Sequence, residues 1–190
     1  MQLSASRRIA APRAAVWAAL NDPDVLRRSL AGCERLEPDG EGRFAAWVAT
    51  RIGPLEARFQ GRIVLADVDP PRRCRIIGEG DGGVAGFARG AATVDLEADD
   101  DATVLRYDVE ATVGGKLAQL GARLVEAAAR KIADEFFARF ETIVAGGVAI
   151  EPPDTETDTD TDTGTGPALP ALVWAPALVA VVALVLFLLS

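Results

Sequence analysis

The side chains able to do chemistry are few, and their spacing argues against catalysis. The 190 residues include no His, which removes Ser-His-Asp and Cys-His nucleophile systems and any imidazole base near neutral pH. Cys33 and Cys74 without a His cannot build the usual structural zinc site, and two thiols make a poor disulfide framework. Paired carboxylates can do acid–base work, but Glu34, Glu37, Asp95, Glu97, Asp108 and Glu110 fall on predicted polar strand faces or in turns, as solvated charges do. Gly78 to Gly83 fits G-x-G-x-x-G. The VAGFARGAATVDLE that follows reads as strand, where a dinucleotide fingerprint needs a helix to receive the pyrophosphate. The Asp-x-Asp-x-Asp run from Asp158 has Thr163 where a calcium loop needs Gly and Leu169 where it needs Glu. Tyr107, the single Tyr, is expected to point inward. The residues favour binding over chemistry.

The elements that must position these side chains occupy only part of the chain. The net charge of −8 and the 49% hydrophobic content describe no single region. Glu151, Asp154, Glu156, Asp158, Asp160 and Asp162 carry most of the charge with no Lys or Arg among or after them. The preceding residues are close to neutral and lack the basic footprint of a nucleic-acid binder. Residues 151–167, EPPDTETDTDTDTGTGP, hold no large apolar side chain and are expected to form a disordered, self-repelling linker reaching about 55–70 Å at most. Ala171 to Leu189 then runs without a charge. As a helix it would measure about 28 Å, close to the ~30 Å hydrocarbon thickness, with Trp174 near one edge, where an amphipathic ring is favourable. At the other end, MQLSASRRIAAPRAAVWAAL has Arg7 and Arg8 in its middle and no long apolar run, unlike a signal peptide. The expected organisation is a globular domain over 1–147, an acidic Asp/Thr linker over 148–167, and a C-terminal transmembrane anchor over 168–190. The domain would face the cytoplasm from the cytoplasmic membrane.

Within the domain, residues 2–10 alternate as a strand, and Pro12 and Pro23 open two short helices. The period becomes two from 34 to 113, with strands expected at 34–38, 43–53, 55–68, 72–79, 86–98 and 102–113. A Gly-rich loop is expected over 78–86. Lys116 to about Ala145 reads as one long helix with a seam of Leu117, Leu120, Leu124, Val125, Ala128, Ile132, Phe136, Phe140 and Ile143. This order predicts an α+β helix-grip fold, a curved antiparallel sheet around a long C-terminal helix. Alternation turns Phe44, Ala46, Val48, Phe59, Gly61, Ile63, Ile76, Ala88, Gly90, Leu96 and Tyr107 toward that helix. The many small residues among them would leave an apolar space, although the chain is Ala-rich throughout and composition accounts for them equally. Trp47 falls on the opposite face. Phe137 lies off the seam, where with Phe136 it could form an exposed aromatic contact or pack at a sheet edge.

LNDPDVLRRSLAGCERLE (20–37), RIGPLEARFQGRI (51–63), DVDPP (67–71), GEGDGGVAGFARGAA (78–92), LRYDVEATVGGKLAQLGARL (105–124) and KIADEFFARF (131–140) resemble, in order, the carbon monoxide dehydrogenase G-subunit family of the START/polyketide-cyclase-like (SRPBCC) superfamily. Ala31 departs from it, where a Pro is expected before Gly32. The resemblance implies a non-catalytic accessory protein that brings the aerobic molybdenum–copper carbon monoxide dehydrogenase to the membrane. A menaquinone-type quinone would sit in its apolar cavity to couple CO oxidation to the respiratory chain, and no metal or covalent cofactor is implied. The expected ligand contacts are Phe44, Val48, Phe59, Ile63, Ile76, Phe87, Leu96, Tyr107, Leu117, Leu120 and Leu124. Phe87 would be the apolar tip of the Gly-rich loop, and Tyr107 would either meet a quinone carbonyl or bond to backbone. The alternatives are a recruitment scaffold without ligand, a hydrophobic-ligand or lipid binder serving another molybdenum hydroxylase, and a polyketide-cyclase-type enzyme.

Overall fold

The computed structural model describes residues 2–146, and the expected linker and membrane span lie outside the described residues. Among the described residues no helix is long and apolar enough to cross a membrane. Strand β1 (Gln2–Ile9) leads into helices α1 (Arg13–Leu20) and α2 (Pro23–Ser29). Then follow β2 (Cys33–Pro38), β3 (Arg43–Ile52), β4 (Leu55–Asp69), β5 (Arg73–Asp81), β6 (Phe87–Asp99), β7 (Ala102–Gly114), α3 (Lys116–Gln119) and α4 (Ala122–Ala145). The strands form one antiparallel sheet in the order β1-β7-β6-β5-β4-β3-β2. The first strand thus pairs with the last, and α1 and α2 carry the chain to the opposite edge.

Local chemistry explains the boundaries. The Asp22 carboxylate accepts the backbone N–H groups of Asp24 at 2.8 Å and Val25 at 3.3 Å, satisfying two of the unpaired donors at the start of α2. Strict alternation in β5, with Cys74, Ile76, Gly78 and Gly80 buried and the residues between them exposed, marks a strand with one wet and one dry face. β5 therefore runs through the first glycines of the stretch expected to be a loop. Only Gly82 to Gly86 remain as the connection, with a 3-10 turn at Gly83–Ala85.

The long helix departs from expectation twice. It is interrupted after Gln119, where Gly121 adopts φ +85°, a left-handed conformation that helix residues other than Gly rarely take. Beyond the break the buried stripe is Val125, Ala129, Ala133, Phe136, Phe137 and Phe140. Ala128 and Ile132 are half-buried flank positions, and Leu124 is 39% exposed. The centre of the stripe is occupied by alanines because a small side chain lets the helix approach the sheet closely, while the larger Leu and Ile fit at its margins. Phe137, expected off the seam, is buried at 6% exposure.

Phe140 is fully buried in this core. Phe140→Ala should cost about 3–5 kcal/mol, read as a lower urea midpoint with unchanged slope. A loss below about 1 kcal/mol would show that α4 does not hold the sheet.

Candidate functional site

The antiparallel register places every second residue on the face covered by α4. Two neighbouring cross-strand rows there are Phe44–Ile63–Gly78–Gly90–Ala111 and Ala46–Gly61–Gly80–Ala88–Val113. Their middle positions on β4, β5 and β6 are nearly all Gly or Ala, flanked by Phe44 and Ile63 on β3 and β4. A methyl group built on Gly61 would meet, among the described residues, the backbone oxygens of Glu79 at 3.5 Å and Ala46 at 3.9 Å. That is ordinary contact, and apart from the chain neighbours no described side chain comes within 4 Å of that methyl position.

The expected contact residues divide by position. Phe44, Val48, Phe59, Ile63, Ile76, Leu96, Tyr107 and Leu117 are buried, and Leu120 is half-buried against the same core. Phe87 and Leu124 do not face this space. Phe87 begins β6 one residue before the buried Ala88, so alternation turns it outward; its ring lies against Gly114 with the Arg89 guanidinium 4.8 Å from its centroid. Val84, at 85% exposure, is the apolar tip of that connection instead. Leu124 covers the β3–β4 turn, its Cδ2 2.8 Å from where a Gly53 Cβ would stand.

Tyr107 lies deeper along β7. Its ring stacks on Phe137, with centroids 5.6 Å and planes 21° apart. Phe136 meets Phe137 edge-on at 5.2 Å and stacks on Phe140 at 5.6 Å, geometries aromatic pairs favour. Arg7, inward on β1, pairs with Asp134 and places its guanidinium 5.8 Å from the Phe137 centroid. Burial pushes the Tyr107 hydroxyl above its ordinary pKa, against the opposing pull of Arg7 and Arg130. Burial likewise raises the Cys74 thiol to about 12, leaving it a neutral core group. Hydrogen-bond chemistry on the inner face is thus concentrated at Tyr107 and Arg7.

Charges gather on the outer face. Arg58 pairs with Glu34 at 3.1 Å, Arg35 with Glu37 at 2.6 Å and Arg73 with Asp95 at 3.4 Å. Arg106 pairs with Glu97, and Asp108 and Glu110 accept hydrogen bonds from Ser4 and Gln2. These carboxylates sit opposite the apolar face, as their alternation predicts. Trp47 is also outward, beneath Arg35 at 4.9 Å. A trough of about 1030 Å³ runs across this outer face, a feature sequence reasoning did not anticipate. Among the described residues no group of three or more His, Cys, Asp or Glu is placed to hold a metal ion.

The family of the carbon monoxide dehydrogenase G subunit (CoxG) matches residues 6–145. The chain belongs to that family. None of the curated proteins matches the chain. Among solved structures, a conserved protein from Geobacillus kaustophilus is 28% identical with a TM-score of 0.74, covering 77% of this chain and 96% of that one. A START superfamily protein from Mycobacterium smegmatis superposes with a TM-score of 0.60 at 12% identity, covering 76% and 97%. A Thermus thermophilus protein does so with 0.61 at 19%, covering 78% and 100%. The last two likenesses concern the fold alone, and the curved sheet with its C-terminal helix is START-like. For this CoxG family member, the matched residues 6–145 span nearly all of the described fold.

Tyr107 is the single Tyr, so phenolate absorbance reports it unambiguously. Its pKa is raised above the ordinary value of 10.0 by desolvation. The sign follows: the contribution to stability is complete below about pH 10 and is lost as pH rises through the higher folded-state value. An ultraviolet titration should show a midpoint above 10 that returns to the ordinary value in denaturant. An ordinary midpoint in the folded protein would contradict the burial.

Proposed function

We propose that this protein is a non-catalytic accessory subunit of a carbon monoxide dehydrogenase and holds a menaquinone-type quinone between its sheet and α4. The observation that carries the ligand reading is the pair of Gly- and Ala-rich rows on the inner face, where no described side chain beyond the chain neighbours comes within 4 Å of a Cβ placed on Gly61. Apolar walls of Phe44, Phe59, Ile63 and Leu117 suit an isoprenoid quinone, which gains about 25 cal/mol for each Å² of apolar surface taken from water. Tyr107 offers a hydroxyl, and Arg7 a cation shared with Asp134, to a ring carbonyl. These groups bind and orient; none is arranged as a nucleophile with its base. Family membership supports the dehydrogenase, of molybdenum–copper type, as the partner. The uncharged stretch from Ala171 to Leu189 supports attachment to the cytoplasmic membrane, with the acidic segment as a tether.

The test uses the full chain in detergent. Organic extraction and mass spectrometry should recover an isoprenoid quinone from the purified protein, or show uptake of added menaquinone. Gly61→Leu should lower that binding by about tenfold or more, equivalent to about 1.4 kcal/mol, while keeping the urea midpoint. A protein that neither retains nor takes up quinone overturns the ligand reading and leaves recruitment. Removal of residues 168–190 should release both this protein and the dehydrogenase from membranes, and persistent membrane association of both would overturn the anchoring role.

A further inference from the structure

The outer face of the sheet carries a second feature, independent of the quinone reading. Across the strands, the outward row Arg43–Val64–Ile77–Ala91–Glu110 adjoins the row Ala45–Arg62–Glu79–Arg89–Thr112. Val64 and Ile77 are 40% and 44% exposed and form a contiguous apolar floor. Arg43, Arg62, Arg75 and Arg89 stand around it and line the trough of about 1030 Å³. Three carboxylates also line it: Asp39, Glu79 and Glu110. Glu79 is engaged by Arg62 at 4.0 Å, and Glu110 accepts from Gln2 Nε2 at 3.2 Å. Among the described residues Arg43, Arg75 and Arg89 have no carboxylate partner within 4.0 Å. Exposed arginines around an apolar floor are the composition of a recognition surface.

The same chain contains a matching ribbon. Asp154, Glu156, Asp158, Asp160 and Asp162 all fall on even positions, with Thr155, Thr157, Thr159 and Thr161 between them. Successive side chains of an extended chain point to opposite sides, so extension would put all five carboxylates on one side, about 6.8 Å apart. Neighbouring strands are about 4.8 Å apart, which sets Arg62 and Arg89, two strands apart in one row, at about 10 Å. Long guanidinium side chains bridge the difference, and a carboxylate is the partner their planar fork fits best. From the end of α4 at Ala145 to Asp154, nine residues reach about 30 Å, about three times the ~10 Å between packed layers. A short tether gives an effective concentration in the millimolar range, enough for a set of exposed pairs that would be weak between separate molecules.

We propose that residues 154–162 dock, extended, on the arginine-lined trough of the outer sheet face, pairing their one-sided carboxylates with Arg43, Arg62, Arg75 and Arg89. Docking takes up the middle of the segment between the domain and the apolar stretch, so the tether shortens when it is docked and lengthens when it is released. Salt, or a competing acidic surface, releases it.

The test places a spin label at Thr159→Cys in a Cys33→Ser background of the full chain in zwitterionic detergent, with the buried Cys74 left in place. At about 20 mM salt, where screening is weak, amide signals of Val64, Ile77 and Ala91 should lose at least half their intensity while those of Val16 and Ala19 in α1 do not. About 500 mM salt should restore them, as should neutralising the ribbon by D154N, E156Q, D158N, D160N and D162N, which leaves the folded domain untouched. Arg43→Glu with Arg75→Glu and Arg89→Glu should abolish the effect from the other side. Signal loss that is absent, uniform over the domain, or unchanged by salt and by ribbon neutralisation overturns the proposal.

Discussion

The fold depends on the contact between the stripe of α4 and the concave face of the sheet. Seven strands expose a row of apolar side chains that cannot remain in water, and the 24-residue α4 covers them together with α1, α2 and α3. Phe136, Phe137 and Phe140 are the largest side chains of the buried stripe of α4. Ala129 and Ala133 let the helix axis come close enough for those rings to reach the sheet. The break at Gly121 is part of the same constraint: α3 keeps Leu117 buried, while α4 restarts beyond it with its own buried stripe.

Because one face of the sheet is dry and the other wet, period-two alternation separates the molecule's chemistry into two compartments. The inner face carries small residues, aromatic rings and a buried Tyr, an environment that disfavours charge. The outer face carries the acidic side chains and the arginines. Arg7 is the exception, a cation on the inner side of an edge strand that is tied to Asp134 of α4. It is held where the sheet edge meets solvent, with its side chain 37% exposed, so its charge stays hydrated while its flank meets Phe137.

Much of this was legible in the sequence. Strand boundaries came out within one or two residues, because turn chemistry at Asp39-Gly40, Gly53-Pro54, Pro70-Pro71 and Asp99-Asp100 punctuates an otherwise regular alternation. Most of the inner-face positions followed from parity alone. Phe87 was misplaced because its loop setting was weighed above its parity with Ala88. Leu124 lies off the buried stripe because Gly121, a left-handed residue, resets the helical phase just before it, and of the two settings open to Phe137 the packed one holds. The trough is not legible in the sequence, since it gathers residues of six different strands.

By itself, the sequence determined the order of elements, the wet and dry faces, the lack of His chemistry and the concentration of negative charge after residue 150. These follow from local backbone preference and from the periods of strand and helix, which are properties of neighbouring residues. Only the tertiary structure decided which face of α4 meets the sheet, that Tyr107 stacks on Phe137, and that Arg43, Arg62, Arg75 and Arg89 surround one apolar floor. Those relations join residues far apart in the chain, and register and packing fix them, because close-packed contacts allow few arrangements.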